Sequence, residues 1–165
     1  EDRQGGDRGD HARQMRGPAG AGHNDLQAAL PGALGIGHQA LRGAVGVVSG
    51  ALRDEIELGL VLLGVRDLVS FVVSAEDTSR CKPDPEGYEK GLALLGGIPR
   101  DQVVVIEDSV AGVRAAKAAN LACVGVAHSY PAAALSEAGA DLVSSNIAEL
   151  SDEALAALAG RLRRA

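Results

Sequence analysis

Three points along this sequence carry side chains suited to a phosphate group. Ser49 and Gly50 follow the apolar run "VGVV" (45–48). Lys82 stands in the polar stretch "AEDTSRCKPDP" (75–85). Glu107, Asp108 and Ser109 follow "VVVI" (103–106), so a run of β-branched residues ends directly in two acids. A hydroxyl and a backbone N–H can donate to phosphoryl oxygens, and an ammonium can neutralise their charge. A carboxylate pair can hold Mg²⁺, which prefers oxygen ligands and keeps several waters. A unit charge pair at contact distance contributes about 4 kcal/mol at an effective dielectric near 20, enough for Lys82 to matter in a transition state.

Each residue also has a plainer explanation. Ser49 could cap a helix. Lys82 could be a solvated loop lysine. Glu107 and Asp108 could face the positive end of the next helix, which explains one acid better than two. Glu76 and Asp77 read as loop charges, and Tyr88 and Tyr130 as packing or rim residues. The order hydroxyl, ammonium, acid pair is more specific than any one member.

The elements that would carry these residues alternate. Strands are expected at 45–49, 71–74, 103–107 and 122–126, with a last edge strand at 141–145. Helices are expected at 51–64, 84–97, 109–120 and 131–139, with a final one from Ser151. In the 51–64 segment Leu52, Ile56, Leu60 and Leu63 fall on one face at helical spacing. Gly64, Gly96-Gly97 and Asn120 stand where helices should stop. Asp84 and Ser109 stand where helices should start, with Pro85 at a first helical position. In the final helix, acids at the start and Arg161, Arg163 and Arg164 at the end match the helix dipole. Apolar strands alternating with amphipathic helices indicate parallel βαβ units, in which ligands bind beyond the carboxyl ends of the strands. All three polar features lie at such ends.

Before this pattern the chain differs. Residues 1–29 contain no Val, Ile, Thr, Phe or Tyr and are rich in glycine. They are expected to be low-complexity and disordered, with the folded unit at 30–165. Leu30-Pro31-Gly32 reads as a turn, and "HQALRG" as the end of a short helix. The net charge of −6 and the lack of a basic stripe argue against nucleic-acid binding. No apolar run is long enough to span a membrane, and no signal-peptide core is present. Cys81 and Cys123 are in no metal-ligand spacing and read as free thiols of a reducing cytoplasm. Aromatic residues make up 2% of the chain, too few for a stacking platform that would select a base or sugar.

"VVSG", "CKPDPEGY" and "VIEDSVAGVRAAKAAN" together resemble the second, third and fourth motifs of the haloacid dehalogenase-like (HAD) hydrolases, in the branch of beta-phosphoglucomutases and sugar-phosphate phosphatases. The resemblance covers roughly residues 45–145. It implies an α/β fold, a partial Rossmann-like HAD core with a mostly parallel sheet. It implies that Ser49 and Gly50 bind the phosphoryl group, and that Lys82 steadies both this group and the nucleophile. Ser49 and Lys82 are thus the catalytic candidates. It further implies that Asp108 with Glu107 holds Mg²⁺, and that Ser109 and Gly112 shape the turn. The substrate would be a small phosphorylated metabolite.

The family's nucleophile lies in a D-x-D motif after a first, central strand, and this sequence contains no D-x-D. The resemblance places that strand between the 45–49 and 103–107 strands. The chain is therefore expected to be an N-terminally incomplete member, without the central strand or most of the cap, and nearly inactive alone. Two other readings remain. One is a non-catalytic degenerate fold that binds or is unstable. The other is a receiver-like phospho-acceptor domain, whose acid and lysine order differs from the order here.

Overall fold

The protein is described by a computed structural model over residues 43–161. The expectations for residues 1–29 and 30–42, and for Arg163 and Arg164, lie outside the described residues.

Among the described residues, five strands and five helices alternate: β1 (Val45–Val48), α1 (Arg53–Leu62), β2 (Val69–Val73), α2 (Glu86–Leu94), β3 (Val104–Glu107), α3 (Val110–Ala118), β4 (Ala122–Val126), α4 (Ala132–Glu137), β5 (Leu142–Ser144) and α5 (Asp152–Arg161). All pairings among them are parallel. The strands form two sheets, β1-β2 and β3-β4-β5. The α/β class and parallel strands match the expectation from sequence. Among the described residues, β1 and β3 do not pair with each other.

Helix ends follow the chemistry of their residues. Gly64, Gly96, Gly97 and Asn120 have positive φ after α1, α2 and α3. Ser109 caps α3, its hydroxyl accepting from the Gly112 N–H at 3.0 Å. α2 starts one position later than expected. Its cap is Pro85, while the Asp84 carboxylate accepts from the Glu86 N–H at 3.0 Å. β2 begins at Val69 rather than 71, because a 3₁₀ turn at Arg66–Leu68 brings the chain into register early. The Arg66 guanidinium fastens that turn, donating to the Val69 carbonyl at 2.9 Å and to Glu57.

Each sheet is covered on both faces. Leu60, with Ile56 and Leu63, packs α1 on Val69 and Val72. Leu155 and Leu158 of α5 pack on Ala122 and Val124. On the opposite face of β4, Val113, Ala115 and Ala116 of α3 meet Cys123. Full burial of a Val or Leu contributes about 1.5–3 kcal/mol, so these layers supply most of the fold's stabilisation.

α2 serves both sheets. Its Tyr88 and Leu92 join the α3 core, and its Gly91 faces Phe71 and Val48 of the β1-β2 pair. The Phe71 ring lies flat against Gly46, where a Cβ would come within 2.0 Å of the ring. Any residue but glycine at 46 would expel that ring.

Candidate phosphate and metal site

The carboxyl ends of β1, β2, β3 and β4 carry the polar residues. Beyond β1, the Ser49 N–H continues the ladder to the Val73 carbonyl at 2.9 Å. The Ser49 hydroxyl accepts from the Ala51 N–H at 3.1 Å. α1 starts only at Arg53, so Ser49 shapes the turn ahead of the helix and is not its cap. Gly50 is exposed, with nothing within 4 Å of where a Cβ would sit.

Lys82 reaches across the opening between the two sheets. Its ammonium donates to the Val48 carbonyl at 3.1 Å, and also to Oε1 of Glu107. It thereby touches the residue before Ser49 and the residue before Asp108. The three sequence-predicted points meet at one edge of the molecule.

Glu107 is buried. Its Oε1 accepts from Lys82 and from the Tyr88 hydroxyl, and its Oε2 accepts from the Ser109 hydroxyl at 3.0 Å. Three donors satisfy this carboxylate, as burial of a charge demands. Its head fills the space beside α3, where a Cβ on Gly112 would fall 1.9 Å from it. Asp108 points elsewhere. It is exposed, and its Oδ2 accepts from the Ser129 hydroxyl at 2.7 Å. Ser129 lies in the loop after β4, so that loop also reaches the site.

Tyr88 is an organising residue rather than rim. It is 7% exposed, its hydroxyl donates to Glu107, and the Lys82 ammonium lies 5.1 Å from its ring centroid. Burial, then the Glu107 charge, pushes its phenol far above the ordinary range. The phenol therefore stays protonated and donates. Tyr130, by contrast, is 45% exposed, as a rim residue would be.

The loop bearing Lys82 is anchored by residues that sequence reading passed over. The Glu86 carboxylate accepts from the backbone N–H groups of Ser79 and Arg80 at 3.1 and 2.9 Å and pairs with Lys90 at 2.8 Å. The Lys90 bond, then the Ser79 N–H, holds it at about 2. Asp77, read as a loop charge, accepts from the Ser74 N–H at 2.7 Å, from the Ser74 hydroxyl at 2.8 Å and from Arg53 at 2.5 Å. The Ser74 bonds, then Arg53, hold its carboxyl at about 2. Glu76 accepts from the Arg53 N–H at 2.9 Å, at the start of α1. The signal for Glu86 was an acid in a helix first turn behind a proline pair. Tyr88 carried none.

Among the described residues, no three His, Cys, Asp or Glu side chains gather as a metal centre. The two acids offer unequal donors to a hard cation. Asp108 has an accessible carboxylate. Glu107 has its oxygens committed to Lys82, Tyr88 and Ser109. Magnesium can be held by one or two carboxylates completed by water and substrate phosphate, so Asp108 fits as one contributor to such a site.

The chain is similar to known proteins in sequence and fold. A family model described as haloacid dehalogenase-like hydrolase matches residues 39–126. The validoxylamine A 7'-phosphate phosphatase of Streptomyces hygroscopicus subsp. limoneus is 42% identical over 118 residues, covering 69% of this chain and 55% of that protein. A HAD family hydrolase from Deinococcus radiodurans, solved with bound phosphate and sodium, superposes with a TM-score of 0.66 at 34% identity, over 83% of this chain and 63% of that one. A beta-phosphoglucomutase from Clostridium difficile gives a TM-score of 0.68 at 25% identity, over 80% of this chain and 56% of that one. The chain spans about half the length of the first of these relatives.

Proposed function

We propose a role in phosphoryl chemistry for this chain, which belongs to the haloacid dehalogenase-like hydrolase family. Its relatives include phosphatases and phosphomutases. The 165 residues carry the phosphate- and metal-binding side of a Mg²⁺-dependent phosphohydrolase or phosphomutase that acts on a small phosphorylated metabolite. Ser49 and the Gly50 N–H would bind the phosphoryl oxygens, Lys82 would neutralise them, and Asp108 would hold Mg²⁺. Glu107 could join the metal only by giving up its bonds to Lys82 and Tyr88. The observation that carries this reading is the Lys82 ammonium, which links the end of β1 beside Ser49 to the end of β3 beside Asp108.

No D-x-D is present in the sequence to supply the attacking carboxylate. A carboxylate nucleophile divides one hard displacement into two easier ones, and its loss removes the chemical step while leaving anion binding. The chain alone should therefore bind inorganic phosphate with Mg²⁺ but turn over p-nitrophenyl phosphate at background. A ¹⁵N NMR titration should shift the amides of Gly50, Lys82 and Ser109, and Lys82→Ala should abolish the shifts. Absence of any shift would sink the binding half. Robust turnover that Asp108→Asn removes would sink the inactivity half.

A second reading, a non-catalytic binding module, is favoured by one observation: Lys82 is already neutralised by Glu107. It predicts no response to phosphate at any magnesium concentration. Cys81 and Cys123 are free thiols, which supports a reducing compartment such as the cytoplasm.

A further inference from the structure

Asp108 is the acid that the site leaves accessible, and the donors nearest to it in sequence serve Glu107 instead. The Ser109 hydroxyl donates to Glu107 and accepts from the Gly112 N–H. Lys82 and Tyr88 donate to the same Glu107 carboxylate. Asp108 is held from another element. The Ser129 hydroxyl, 21 residues along the chain, donates to its Oδ2 at 2.7 Å. Among the described residues, no donor reaches Oδ1.

The loop that carries Ser129 is short and fixed at both ends. Before it, the Ala127 N–H donates to the Ser144 carbonyl at 2.8 Å and extends the ladder between β4 and β5. The His128 N–H turns back to the Val126 carbonyl at 2.8 Å. After it, the Pro131 carbonyl accepts from the Ala134 N–H at 2.9 Å, and the fully buried Leu135 pins α4. Ser129 and Asp108 are both exposed. A hydrogen bond there replaces bonds to water and adds little to folding. What it supplies is direction, because an exposed carboxylate otherwise keeps its rotamer freedom.

We propose that Ser129 is a positioning residue for Asp108: its hydroxyl fixes the carboxylate by Oδ2 and leaves Oδ1 to a divalent cation. This inference rests on the reading of Asp108 as a metal ligand. Carboxylates that ligate metals are themselves hydrogen-bonded, and loss of such a partner weakens metal binding about 10–100-fold.

The probe is Mn²⁺, which takes oxygen ligands as Mg²⁺ does. It is titrated into the chain with inorganic phosphate present and followed by the EPR signal of the free ion. Ser129→Ala should raise the Mn²⁺ dissociation constant about tenfold or more and leave the thermal midpoint of the metal-free chain unchanged. Ser129→Thr keeps a hydroxyl and should bind as the unaltered chain does. Ser145→Ala removes a hydroxyl that donates to Glu149 at 2.8 Å, a bond of the same type beyond the end of β5, and should change nothing. The proposal is overturned if Ser129→Ala binds Mn²⁺ as tightly as the unaltered chain, if its thermal midpoint falls, if threonine does no better than alanine, or if Ser145→Ala loses as much. Asp108→Asn separates this inference from the reading beneath it. Should the unaltered chain bind no Mn²⁺, or Asp108→Asn bind it equally, the metal role of Asp108 fails and this inference with it. Should Asp108→Asn lose binding while Ser129→Ala keeps it, this inference alone fails.

Discussion

Lys82 and Glu107 form an ion pair across the opening between the two sheets, with Glu107 8% exposed at its side chain and Lys82 24%. Removing the lysine leaves a buried carboxylate with two neutral hydroxyl donors. Breaking a fully buried pair costs about 3–5 kcal/mol, and the partial exposure of Lys82 moves the expectation for Lys82→Met to about 2–3 kcal/mol. Urea denaturation of the chain measures it. Adding Glu107→Gln to Lys82→Met should restore part of the loss. A double variant no more stable than Lys82→Met would show that the two groups are not coupled.

Tyr88→Phe deletes one hydrogen bond to the same carboxylate and leaves the ring packing in place. The expected loss is about 1.5–3 kcal/mol, the range for a hydrogen bond to a charged group. A change below about 0.3 kcal/mol in the same denaturation series would mean that the phenol is not holding Glu107.

Gly112 and Gly59 should respond in opposite directions to alanine. At 112 the new methyl would occupy the position of the Glu107 carboxylate, forcing it away from Lys82, Tyr88 and Ser109. Such overpacking costs about 1–3 kcal/mol. At 59, inside α1, nothing lies within 4 Å of the added carbon. Gly59→Ala should therefore stabilise by about 0.5–1 kcal/mol. Thermal melts of the two variants check the contrast.

Acid should destabilise the protein through Asp77 and Glu86. Both have folded pKa values of about 2, against ordinary values of 3.8 and 4.5. Depressed carboxyls contribute stability above their unfolded pKa and lose it as pH falls through the folded value. Stability should thus decline from about pH 4.5 to about pH 2. Asp77→Asn should flatten part of that slope, and an unchanged slope would remove Asp77 from the explanation.

The two cysteines should label unequally. Burial, then the Glu107 charge, pushes the Cys123 thiol up to about 12, while Cys81 is exposed. The thiolate is the nucleophile, so iodoacetamide at pH 8 should modify Cys81 in the native chain and both thiols only in urea. Native modification of Cys123 would show that α3 opens readily over β4.

Period and punctuation made most of this fold readable. Apolar runs gave the strands, while Gly64, Asn120 and Ser109 marked the helix ends. The site was legible as types and order, since Ser49, Glu107 and Asp108 stand at strand ends and Lys82 in the loop that follows β2. What the sequence concealed was direction. Adjacent residues on a strand point opposite ways, and the chain keeps that alternation one residue past the end of β3, so Glu107 turns to the core while Asp108 turns to solvent. Pairings far apart in sequence were hidden too, because only the tertiary fold brings them together. Nothing local ties Tyr88 to Glu107, Ser129 to Asp108 or Arg53 to Asp77. β2 was drawn short because the Arg66 clamp that starts it leaves no mark in the hydrophobic pattern.

One helix shared by both sheets has a mechanical consequence. α2 backs β1-β2 with Gly91 and the α3 core with Tyr88 and Leu92. Pulling it loose would strip the keel from both halves together, so a single protease nick within it should dismantle the whole body in one cooperative step.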